Sequence, residues 1–107
     1  MEELDFTFFA ALWLYQGKGA WYFVTLPKEQ ADQIKFFTSP QNTGQRKRGW
    51  GSVRVKVTIG KCTWQTSIFP SKSSESYILP VKAEIRKKEK IGQGDNVSVR
   101  LLIKTGL

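Results

Sequence analysis

Arg46-Lys47-Arg48, with Trp50 two residues on and Arg54 and Lys56 beyond it, is the set of side chains in this sequence whose types and spacing point most directly to chemistry. Guanidinium and ammonium groups contact phosphates, and an indole beside them offers a face on which a base can stack. Lys82, Arg86, Lys87, Lys88 and Lys90 form a second basic set on a segment with helical spacing. The net charge is +8, and it is unevenly spread. Residues 1–45 carry three basic and five acidic side chains, whereas residues 46–107 carry fourteen basic and four acidic ones. An anionic partner such as nucleic acid is therefore one expectation. The competing explanation is a lysine-rich solvated surface, with Trp50 covering one end of the fold.

Catalysis finds no comparable set. The chain has no histidine, which removes the commonest general base and metal ligand. Glu29 and Asp32 share one helix face but sit near a helix N-terminus, where carboxylates complement the dipole. Cys62, the lone cysteine, has no histidine to activate it and falls at a core-facing strand position, so it reads as packing. Gly92-Gln93-Gly94-Asp95 follows a helix rather than opening one, unlike a phosphate-binding loop. The expectation is no enzyme, no cofactor and no metal. A third possibility is a small anionic ligand or a protein bound at an aromatic-lined barrel mouth. Trp21 and Trp64 are its candidate residues, with Lys82 or Arg86 meeting the charge. Aromatics at such positions more often pack a core.

The elements that must position these residues follow from periodicity. Residues 4–15, LDFTFFAALWLY, alternate Leu4, Phe6, Phe8, Ala10, Leu12 and Leu14 on one face with Phe9, Ala11, Trp13 and Tyr15 on the other. The expectation is one strand, with Trp21–Leu26 returning as its hairpin partner. Pro27 ends that ladder and opens a helix on Ala31 and Ile34. Val53, Val55, Val57 and Ile59 alternate strictly with Ser52, Arg54, Lys56 and Thr58, predicting a half-exposed strand. Cys62–Phe69 and Tyr77–Leu79 are the next strands, with a loop expected from Pro70. Pro80 precedes a helix over Val81–Lys90, ended by Gly92 and Gly94, and Asn96–Lys104 is the last strand.

That order occurs twice: two strands, Leu-Pro, a short helix, a strand. The copies span 4–59 and 61–103. A duplicated ββαβ unit predicts a mainly β, pseudo-two-fold, double-split barrel of about six strands and two short helices, folded as one domain over residues 1–107. The second half, ESYILPVKAEIRKKEKIGQGDNVSVRLLI, resembles the swapped-hairpin unit of AbrB-like regulators and MazE-type antitoxins, in which two chains share one barrel. GWGSVRVKVTIG, TWQTSIFP, YILPVKAEIRKKEKI and GQGDNVSVRL, after an early WYFVTLP, are similar in order to the bacterial family called domain of unknown function nineteen-oh-five. That resemblance implies a double-split β-barrel, in some members fused to a YdeI/OmpD-associated domain that is missing from this sequence. It implies no activity and no catalytic residues.

The resulting expectation is a small cytoplasmic bacterial binding module, monomeric or weakly dimeric. The alternative is nucleic-acid binding through Arg46, Lys47, Arg48, Trp50, Arg54 and Lys56 together with Lys82, Arg86 and Lys87. A single cysteine fits a reducing compartment, no apolar run is long enough for a membrane span, and the acidic Met1-Glu2-Glu3 start is unlike a signal peptide.

Overall fold

The computed structural model describes residues 3–17, 19–38 and 51–104. The described residues form seven strands and two helices: β1 (Glu3–Ala11), β2 (Trp13–Gly17), β3 (Gly19–Thr25), α1 (Lys28–Phe37), β4 (Val53–Ile59), β5 (Cys62–Ser71), β6 (Ser76–Pro80), α2 (Ala83–Glu89) and β7 (Asn96–Lys104). All strand pairings are antiparallel, and the order across the curled, half-barrel sheet is β1-β7-β4-β5-β6-β3-β2.

The one strand expected over residues 4–15 is two. β1 pairs with β7 along its whole length, and only β2 makes the hairpin with β3. Leu12 is the break. Its N–H donates to the Asp95 carbonyl at 2.9 Å and its carbonyl accepts from the Gly94 N–H at 2.8 Å, so its backbone groups are satisfied by the turn before β7 rather than by a ladder. The side chain of Leu12 is buried, and the inward alternation runs in phase across the break from Phe6 and Phe8 through Leu12. β5 makes the matching change of partner without a break, pairing with β4 through Ile68 and with β6 from Phe69. The loop expected from Pro70 therefore starts later. Among the described residues β5 has no partner on its β4 side beyond Ile68, where the missing proline N–H costs no ladder bond.

Exchanging β1–β2, β3, α1 and β4 for β5, β6, α2 and β7 maps the pairings onto themselves. With Leu26-Pro27 laid on Leu79-Pro80, the Thr25–Ile78 pair maps onto itself. The Val24–Leu79 pair maps onto Tyr77 and Leu26, where the Leu26 N–H donates to the Tyr77 carbonyl at 2.9 Å. Val57–Leu101 is the corresponding central pair of β4 and β7.

The core lies on the concave side. Val55, Val57 and Ile59 of β4, Val97, Val99, Leu101 and Ile103 of β7, and Val24, Ile68, Tyr77 and Leu79 are buried there. α1 adds Ala31 and Ile34 at helical spacing, and α2 adds Ile85, with Val81 just before it. α2 ends one turn before its glycines. Lys90 itself takes the left-handed conformation at φ 55°, and its neighbour Ile91 donates back to the Arg86 carbonyl.

Candidate binding face

Alternation puts odd-numbered residues of β2, β3 and β5, and even-numbered residues of β4 and β6, on the convex side of the sheet. Register then fixes their neighbours. Tyr15 stands opposite Trp21 and Trp13 opposite Phe23; Phe23 stands opposite Pro80, and Thr25 opposite Ile78, which in turn faces Phe69. Four adjacent strands thus carry a continuous aromatic and aliphatic surface. Trp21, Tyr15 and Phe69 are 55%, 49% and 43% exposed, and Trp13, Phe23, Ile78 and Pro80 are half-buried.

The rings are held in place by their neighbours. Trp13 packs on Phe23 at 5.2 Å between ring centres, Tyr15 meets Phe23 edge-on at 6.3 Å, and Trp21 lies within 16° of parallel to Phe23 at 6.5 Å. The Trp13 indole N–H donates to Thr25 Oγ1 at 2.9 Å, which satisfies the one polar atom of the half-buried ring. The hairpin ends in a Gly17–Gly19 pair on this same face. A Cβ at Gly17 would run into the Tyr15 ring, and one at Gly19 would lie 3.5 Å from the Trp21 indole nitrogen. Both exposed rings therefore lean along their strands over glycine, Trp21 near-parallel to Phe23 and Tyr15 steep to it.

The convex side continues onto β4. Arg54 stands opposite Ser67 and donates to its hydroxyl at 3.4 Å, and Lys56 stands opposite Gln65. Both cations are exposed, and Ser67 is two residues from Phe69 on the same side of β5. Across the convex side of β2, β3, β6, β5 and β4 the described residues include no carboxylate.

Arg54 and Lys56 are thus on an exposed strand face. Arg46, Lys47, Arg48 and Trp50 lie outside the described residues. α2 is positioned elsewhere. It meets β5 at Cys62, on the concave side, where Glu89 accepts from Cys62 Sγ at 3.3 Å and from the Lys61 N–H at 3.1 Å. The fold therefore places the basic helix and the Arg54–Lys56 pair on opposite sides of β5. Arg86 is engaged as well: its Nε donates to the Val81 carbonyl at 3.2 Å, and its guanidinium carbon sits 3.7 Å from the centre of the Tyr22 ring. Lys82 and Lys88 both reach Glu84, at 4.0 and 3.5 Å, and Lys87 is exposed. The two tryptophans expected to share a barrel mouth are also separated. Trp64 stands opposite Val57 on the concave side and packs on the core, while Trp21 is convex. The sequence signal for the platform is the cross-strand arrangement of aromatic and glycine, Tyr15 with Gly17 and Trp21 with Gly19, which the reading of Trp21 as a mouth residue passed over.

Desolvation pushes the Cys62 thiol above the ordinary range, and the hydrogen bond to Glu89 and that carboxylate's charge push it further. No helix among the described residues is long and apolar enough to cross a membrane.

Comparison with curated proteins finds no match. The sequence profile of the domain of unknown function DUF1905 matches residues 8–101, a span that takes in β2 to β6, α1, α2, parts of β1 and β7 and the whole aromatic platform, and the chain belongs to that family.

Proposed function

We propose that this domain is a non-catalytic binding module whose partner seats on the convex face of β2, β3, β6 and β5. One observation carries it: four neighbouring strands present Trp13, Tyr15, Trp21, Phe23, Ile78, Pro80 and Phe69 as one surface, with three of the rings more than two-fifths exposed. Contiguous apolar surface of this kind marks interaction sites in soluble proteins. A raised Cys62 thiol and a chain without histidine favour binding over catalysis. The lone free cysteine fits a reducing compartment, and we assign the domain to the cytoplasm.

The test separates surface put out for a partner from surface that holds the fold. Tyr15→Ala combined with Trp21→Ala should leave the unfolding temperature within a few degrees of the parent, because exposed side chains contribute within about 0.5 kcal/mol. The same double variant should lose most of the binding of an apolar fluorescent dye. A large fall in unfolding temperature, or dye binding that is unchanged, would refute the reading.

A further inference from the structure

We infer that the partner of this face is single-stranded nucleic acid, its bases stacked on Tyr15, Trp21 and Phe69 and its phosphates met by Arg54 and Lys56; this rests on the binding-face reading above. Three features of the face select that chemistry. Tyr15, Trp21 and Phe69 expose aromatic surface on one side of the sheet, with Trp21 and Tyr15 leaning over Gly19 and Gly17, and every base has a π-face to stack on it. The two cations are on the same convex side, on the strand next to Phe69. Five adjacent strands carry no carboxylate on that side among the described residues, so nothing there repels a phosphate backbone.

Dimensions agree. β2 and β4 are four strand spacings apart in the sheet order, or roughly 19 Å along its surface, a reach of a few nucleotides. A duplex hides its base faces, so stacking on these rings requires unpaired bases. A neutral glycan would stack on the rings as well, yet it has no charge to match Arg54 and Lys56. A second copy would set Arg54 and Lys56 of both chains close to the same interface.

The experiment is a tryptophan-fluorescence titration of the whole chain with oligo-dT, oligo-U, a duplex of equal length and a neutral β-glucan oligosaccharide, over a salt series, with sedimentation to follow self-association. Saturable quenching by both single strands, weaker for the duplex, is the expected result. Tyr15→Ala with Trp21→Ala should weaken single-strand binding ten-fold or more, and Tyr15→Phe with Trp21→Phe should retain it. Arg54→Gln with Lys56→Gln should flatten the dependence of log affinity on log salt by about 1.4, the value for two phosphate contacts on a single strand. The inference is overturned if single strands do not bind at low salt, if duplex binds as tightly, or if the aromatic double variant binds unchanged. Should the dye assay succeed while oligonucleotides fail, the face remains a binding surface. Glucan binding or dimerisation would then name its occupant.

Discussion

The Arg86 guanidinium lies over the Tyr22 ring, its carbon 3.7 Å from the ring centre, while its Nε donates to the Val81 carbonyl. Val81 in turn donates its N–H to the Tyr22 carbonyl at 2.9 Å, so one arginine closes a loop between β3 and the entry to α2. In sequence it is one cation in a basic helix; in the fold it holds that helix onto the sheet.

Arg86→Ala should therefore act on stability. A partly desolvated cation–π contact contributes about 1–2 kcal/mol, and the lost hydrogen bond adds to it. Chemical denaturation should show a lower midpoint for Arg86→Ala, while Lys87→Ala, exposed one residue on, should differ little from the parent. Equal effects at the two positions would mean that the stacking contributes nothing.

Much of the fold was legible, and the parts that were not share a cause. Strict alternation in Val53–Ile59 and Asn96–Lys104 places β4 and β7 with their inward faces, because one side of each is buried and the other wet. The break at Leu12 has no such signature. Alternation passes through it in phase, and the groups that satisfy its backbone, on Gly94 and Asp95, come from the far end of the chain. The left-handed Lys90 is hidden in the same way, since the nearby glycines are the natural place to look for it. At the binding face, alternation already put Trp13 and Tyr15 on one side. Whether that side is covered or open depends on where the helices dock, and α1 and α2 dock on the other.

Gly60 turns β4 into β5 with φ at +59°, and a Cβ there would run into the Glu89 carboxylate that caps this turn. Gly60→Ala should cost about 1–2 kcal/mol from the left-handed backbone alone. Displacing Glu89 from the Lys61 N–H adds to that cost. Gly92→Ala, with open space around its Cβ position, is the matched control, and thermal unfolding of the pair checks the difference.

Glu89 also bears on the Cys62 thiol. Desolvation first, and then the hydrogen bond to the Glu89 carboxylate, hold the thiol protonated above its ordinary range. Glu89→Gln keeps an acceptor and removes the charge, so alkylation of Cys62 in the folded protein should become faster at any given mildly alkaline pH. A rate profile that does not move toward lower pH in the variant would show that burial alone controls the thiol.

Asp5 and Arg100 tie β1 to β7 by a two-pronged ion pair, Nε to Oδ1 at 3.0 Å and Nη2 to Oδ2 at 2.8 Å, on the exposed face. The hydrogen bond from Arg100 is the main force holding the Asp5 carboxyl below its ordinary value; desolvation opposes it, and the guanidinium charge helps to a lesser degree. A carboxyl whose folded value is depressed contributes stability above its unfolded value, and that contribution is lost as pH falls through the folded one. Acid should therefore loosen β1 below about pH 4, where an unfolded aspartate protonates. Asp5→Asn should be less stable than the parent at neutral pH, by a margin that shrinks with acid and with added salt. A carboxyl resonance of Asp5 that titrates at the ordinary value in NMR, or an Asp5→Asn margin independent of pH, would remove the ion pair from the account of how β1 is held.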